Sequence, residues 1–233
     1  MVMSLPDLSS TPRTALGRHR ERGRTERDDL YAVLDAGLIC HLGVVVDGAP
    51  RVLPTGYGRV DDLLYLHGSS GNSSFMAGAG QQVCVTVTHL DGLVLARSVF
   101  NHSMNYRSAV IFGVARPVTD PDEKLLALRT ITEHLAPGQW SYARQPSRKE
   151  LAATSALALP LTEASVKIRD SGASDEPEDY ALDIWAGVVP VTSGFGPPEP
   201  DSVLRPGIDT PPHIVKRGGL PGSTAGKARH PRP

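Results

Sequence analysis

The sequence predicts a mainly β chain with some helix (α+β), its strands pairing antiparallel in a barrel or sandwich. Three observations carry this. Between residues 38 and 118 strand-like runs follow one another in quick succession. Short turns join them, led by Asp47-Gly48 between two such runs, a strong hairpin signal. One run, QVCVTVTHL (82–90), is rich in β-branched residues. Antiparallel pairing fits this rhythm better than βαβ crossovers.

The elements follow in order. A helix opens near Thr25, a possible cap, with Leu30, Val33 and Leu34 on one face and Gly37 as its stop. Six strands are expected at 38–46, 50–60, 63–68, 82–90, 93–100 and 108–118. Asp61-Asp62 supplies the second turn. A Gly/Ser loop and a short helix separate the third strand from the fourth. Asp120, Pro121 and Glu123 then spell a helix start, with Leu125, Leu128, Ile131 and Leu135 facing inward. Ser147 to Glu150 reads as a capping box, and further strands are expected at 155–161 and 165–170. The segment 180–191 closes the ordered part, and no internal repeat is visible.

Composition narrows the function classes. A formal net charge of -1 gives no electrostatic reason to expect nucleic acid or an anionic membrane as partner. No apolar run approaches the roughly 20 residues that span a bilayer, and the N-terminus has no apolar core of a secretory signal. A cytoplasmic protein is expected. Cys40 and Cys84 are then two buried reduced thiols, or one disulfide. Residues 1–24 read as a flexible arm, 25–194 as the folded domain, and 195–233 as a Pro/Gly-rich tail, largely disordered or a surface strap.

Three stretches can carry chemistry. In 63–87 a strand ends at His67, and the loop Gly68, Ser69, Ser70, Gly71, Asn72, Ser73, Ser74 leads into a helix. Converging backbone N–H groups, short hydroxyl and amide donors and a helix start make a phosphate cradle, or only a turn. In 98–115, Asn101, His102, Ser103, Asn105, Tyr106, Arg107 and Ser108 precede an apolar strand. The planar fork of Arg107 suits phosphate oxygens, or a surface ion pair. In RVLPTGY (51–57), Pro54 removes a ladder donor, which implies an edge, a bulge or backbone facing a flat ligand. His41, His67, His89 and His102 share no metal-ligand spacing, neither cysteine belongs to a C-x-x-C pair, and no metal site is expected. Hydrolase, P-loop and dinucleotide-fold motifs are absent.

Taken together, 38–70, 83–115, 165–170 and 183–191 resemble the pyridoxamine 5'-phosphate oxidase-like flavoproteins, near the nitroimidazole-resistance (Nim-type) reductases. The resemblance implies a six-stranded antiparallel split β-barrel with short flanking helices, homodimeric, with FMN at the subunit interface. It implies that Arg51, Val52, Leu53, Pro54 and Thr55 run along the isoalloxazine edge. Tyr65, Leu66, His67, Gly68, Ser69 and Ser70 then reach the ring and ribityl chain, and Asn72 and Ser73 face the phosphate. Asn105, Tyr106, Arg107 and Ser108 add ring or phosphate contacts, and Trp185 stands where relatives close an aromatic over the partner's flavin.

The implied activity is an FMN-dependent oxidoreductase. It would take hydride from a nicotinamide donor and pass it to a small electrophile of nitro or quinone type, with His67 as the candidate general acid. Where the oxidases proper carry an Arg-Lys pair, this chain has Gly71-Asn72. Their pyridoxamine-phosphate residues are not recognisable in its tail, so vitamin B6 oxidase activity is not expected. The same fold also allows a deazaflavin, a haem held by His41, His89 or His102, or a non-enzymatic flavin-binding protein.

Overall fold

The computed structural model describes residues 7–8 and 11–218. Its strands are β1 (Gly23–Arg24), β2 (Ile39–Val46), β3 (Ala49–Val60), β4 (Leu63–Ser69), β5 (Gln82–Leu95), β6 (Ser103–Val114), β7 (Arg116–Pro117), β8 (Thr154–Pro160), β9 (Glu163–Arg169) and β10 (Gly187–Pro190). Its helices are α1 (Arg27–Ala36), α2 (Ser73–Met76), α3 (Pro121–Leu135), α4 (Gln139–Tyr142), α5 (Arg148–Ala153) and α6 (Pro212–Gly218). The strands run β1-β9-β6-β5-β2-β3-β4-β8-β7, with β10 added to β5, and every pairing is antiparallel. The α+β class holds, with ten strands where the sequence predicts eight and the resemblance a six-stranded barrel.

The split lies in β3. Residues 49–56 pair with β2, and Tyr57 to Val60 pair with β4. One long strand thus serves two sheets, and the side-chain layer between them is the core. Leu42, Leu64, Leu66, Ile111, Leu157 and Leu159 are fully buried there, the burial that drives barrel closure. Tyr57 joins them, its buried hydroxyl donating to the Leu34 carbonyl and tying α1 to the barrel. Cys40 and Cys84 are both free, and burial pushes the Cys40 thiol up to about 12.

The turn chemistry is local and as expected. Asp47 (φ 52°) and Gly48 (φ 77°) both take the left-handed conformation that a two-residue hairpin requires. Asp120 Oδ1 accepts from the Glu123 N–H at 2.8 Å, with Pro121 opening α3. Ser147 and Glu150 form the reciprocal capping box of α5. α1 differs, starting at Arg27 with Glu26, not Thr25, in the cap position.

Three departures are nonlocal. The runs 82–90 and 93–100 form one strand to Leu95, because a bulge between Leu90 and Gly92 absorbs the extra residue that reads as a turn. The N-terminal arm is pinned where it is described: Leu8 is buried, Thr11 and Arg13 hold Glu163, and β1 pairs with β9. Within 195–233, residues through 218 are described, and α6 returns to α4 through His213 Nε2 and Gln139 Oε1 at 2.9 Å. The arm's residues 1–6 and 9–10, and the tail's 219–233, lie outside the described residues.

Candidate functional site

Alternation on β2 buries Cys40, Leu42 and Val44 and turns Ile39, His41, Gly43 and Val45 to the opposite face. Their partners on β3 are Gly56, Pro54, Val52 and Pro50, which share that face. α3 covers one end of it. A Cβ on Gly58 would lie 2.8 Å from Ile131 N and Thr130 O, and one on Gly56 would lie 3.2 Å from Leu135 at the end of α3. Past Leu135 no described residue continues the cover, and Ile39 (58 %), Val45 (61 %) and Val52 (63 %) are left exposed. A contiguous apolar patch of this kind marks a binding or interaction surface.

The split opens at the edge of this face. β3 leaves β4 at Tyr57, so Thr55 and Pro54 have no ladder partner on that side. Thr55 Oγ1 donates to Gly56 O at 3.2 Å. Tyr65 and His67 share the face of Gly58 and Gly56, but α3 buries Tyr65 and leaves His67 half-buried at the margin. His67 Nδ1 is buried with no hydrogen-bond partner among the described residues. Burial lowers the His67 pKa, so the imidazole is neutral at neutral pH.

The loop beyond it is held by its own polar groups. Ser69 Oγ accepts from Gly71 N at 3.2 Å, Ser70 N and Oγ both donate to Ala153 O, and Asn72 Oδ1 accepts from Phe75 N at 3.1 Å. Gly68 is required because a Cβ would strike the Phe75 ring at 2.8 Å. α2 has four residues, so its dipole adds little to an anion site and hydroxyls, amides and charge must serve. The charge comes from β3: Arg51 Nη1 donates to Ser74 Oγ at 3.0 Å and brings an exposed guanidinium over the loop.

Of the residues singled out in the sequence, Arg51 meets the loop after β4 through Ser74 and Thr55 meets the end of β4 through the His67 carbonyl, while Val52 and Pro54 lie on the other face of β3. Four groups of expected contacts are buried or otherwise paired in this structure. Tyr65 and Leu66 are buried, the Tyr65 hydroxyl donating to Glu123 Oε1 at 3.1 Å, so neither side chain reaches a surface ligand. Leu53 packs against the core. Arg107 is closed on Asp91 through two bonds at 3.0 and 2.9 Å, and is not a free phosphate ligand. Buried Asn105 Oδ1 accepts from Arg169 and from Ser171 N, a structural bolt.

Tyr106 and Ser108 lie on β6, separated from β3 by β2 and β5. Three strand steps place them about 14 Å from the opening within one chain. Trp185 is 65 % exposed, its ring beside Gly187 at the start of β10. Cavities of 390 and 350 Å³ lie elsewhere, along the arm and beside α4. Among the described residues no group of three or more His, Cys, Asp or Glu could hold a metal ion, and no helix is long and apolar enough to cross a membrane.

Two half-buried imidazoles give the fold an acid limit. His67 and His134 both have pKa values lowered from the ordinary 6.5, burial being the first cause in each. The unfolded chain binds more protons below that value, so the stability is fully present above about 6.5 and is lost as pH falls through the folded values. Replacing His134 with Gln retains a donor for Gly37 O, which His134 Nε2 meets at 2.6 Å, and removes one titration. Urea midpoints at pH 7.5 and 5.0 should then converge in His134→Gln relative to the wild type; an unchanged gap would contradict this assignment.

A family model described as pyridoxamine 5'-phosphate oxidase matches residues 26–168. Among solved structures, the flavocytochrome Anf3 from Azotobacter vinelandii is 39% identical over 89% of this chain and 97% of its own, with a TM-score of 0.85. The FAD and heme binding protein from Mycobacterium smegmatis is 39% identical over 84% of this chain and 97% of its own, with a TM-score of 0.81. A candidate 5-nitroimidazole antibiotic resistance protein from Bacteroides thetaiotaomicron shares the fold at 22% identity and TM-score 0.53, covering 63% of this chain and 86% of its own. No curated protein matches the chain.

Proposed function

The chain belongs to the pyridoxamine 5'-phosphate oxidase family, and from that membership we propose that it is a flavin- and haem-binding electron-transfer protein. The observation that carries this reading is the match, over most of the chain, to two proteins whose names carry a flavin-and-haem pairing. The uncovered apolar face beside the β3–β4 split is the surface suited to such flat cofactors.

Arg51 and the hydroxyls of Ser73 and Ser74 hold the phosphate. The neutral, half-buried His67 imidazole would stand at the margin of the flavin ring, with its buried Nδ1 turned away from it. Pro54 contributes no N–H at the border of the split. FAD is favoured over the FMN expected from the broader resemblance. The phosphomonoester of FMN carries about −1.5 to −2 charges, which a basic pair would neutralise. Here one arginine stands over the loop, and the 39% identical relative from Mycobacterium smegmatis names FAD as its flavin.

A bound flavin exchanges electrons singly or in pairs and a haem singly. The reductant is then a nicotinamide or a one-electron carrier, and the acceptor a small electrophile of nitro or quinone type. Tyr106 and Ser108, remote from the opening in one chain, and Trp185 complete it from a second copy in a homodimer. The visible spectrum of the purified protein tests the reading. Flavin bands together with a Soret band are expected; a protein lacking either, even after incubation with FAD and hemin, would overturn it.

A further inference from the structure

We infer that His41 is the residue through which this chain ligates haem iron, an inference that rests on the haem reading above. Iron takes the lone pair of a neutral imidazole nitrogen, so a ligand must offer one that is reachable and not already used. The hydrogen bonds of the described histidines decide which does.

Three are used or remote. His134 Nε2 donates to Gly37 O inside the fold, His19 Nδ1 meets Glu21 on the arm, and His213 Nε2 meets Gln139 beside α4. His102 is excluded by its tautomer. Its Nδ1 accepts from the Ala96 N–H at 3.0 Å, so its proton sits on Nε2, and the nitrogen facing outward has no lone pair to give. His89 is excluded by the opposite arrangement. Its Nε2 donates to Val33 O at 2.9 Å, leaving only Nδ1, which adjoins Cβ where a macrocycle would meet the strand backbone. His67 has a buried Nδ1 and sits at the split, the place assigned to flavin.

His41 has neither nitrogen bonded among the described residues, and it is exposed. It stands mid-strand on the bare face, with Pro54 and Thr86 as cross-strand neighbours and no carboxylate among these. Ile39 and Val45 flank it on β2, and Val52 lies diagonally across on β3. Gly43, the next residue on that face, pairs with Val52 and Cys84 and leaves the floor beside the imidazole free of side chain. An iron ligand set in the middle of apolar surface is what one face of a porphyrin needs. Pro54 joins the two sites, since it lies opposite His41 and on the strand that borders the split.

Hemin titration followed in the Soret region tests this, with flavin content measured on the same samples. His41→Ala is expected to weaken hemin binding at least tenfold and keep its flavin, while His89→Ala and His102→Ala keep both. External imidazole is expected to restore the wild-type spectrum to His41→Gly, which a merely structural role would not allow. Should His41→Ala fold poorly, His41→Tyr is expected to fold and to shift the spectrum to that of a phenolate ligand. A wild-type Soret band in His41→Ala or His41→Tyr would overturn the inference. Wild-type protein that takes up no hemin would instead sink the haem reading beneath it.

Discussion

Gly58→Val is expected to lower the thermal unfolding midpoint by about 6–12 °C. A Cβ at this position would lie 2.8 Å from Ile131 N, Thr130 C and Thr130 O. All three are backbone atoms of α3, so no side-chain rotation can relieve the clash. The helix must move off β3 or the strand must bend, and overpacking of this kind costs about 3 kcal/mol. For a chain of this size each kcal/mol shifts the midpoint by about 2–4 °C. The damage reaches the site, because the same helix ends with Leu135 over Gly56 and sets where the bare face begins. Gly71→Ala is the control. Its nearest neighbour would be Ser69 Oγ at 3.7 Å, an ordinary contact, and the midpoint should not move. A wild-type midpoint in Gly58→Val would mean that α3 does not lie on β3 as described.

Arg51→Glu is expected to weaken flavin binding about 100-fold and leave the fold intact. Arg51 is exposed and makes one bond, to Ser74 Oγ, so its loss removes little from stability. A charge-assisted bond to phosphate is worth about 1.5–3 kcal/mol, and each 1.4 kcal/mol is tenfold in affinity. Reversing the charge adds repulsion to that loss. Arg51→Lys should fall between, retaining charge without the planar fork. Arg107→Ala should behave differently. It leaves Asp91 unpaired at the β5 bulge and lowers stability, while phosphate binding is kept. Equal flavin affinity in Arg51→Glu and wild type, measured by fluorescence quenching, would remove Arg51 from the site.

The parts legible in the sequence are those settled within a few residues. Asp47-Gly48, Asp120 with Pro121, and Ser147 with Glu150 each take the turn or cap that their side chains favour. What was hidden depends on residues far apart. Asp91-Gly92 reads as a turn, and only pairing with β6 makes it a bulge that presents Asp91 to Arg107. LLYL in β4 is apolar throughout, so alternation could not reveal that α3 buries Tyr65 against Glu123. The arm's anchoring on Glu163, some 150 residues away, leaves no local trace. The loop after His67 was recognisable, but its cation was not: Arg51 reaches it only because β3 passes beside α2.

The central claim is that the opening between β3 and β4 is a flavin site with a single cation. It is tested most directly by titrating the cofactor-free protein with FAD and, separately, with FMN. Saturable quenching of flavin fluorescence is expected for both, with FAD at least tenfold tighter and the difference lost in Arg51→Glu. Absence of binding by either flavin, in protein that unfolds cooperatively, would contradict the account.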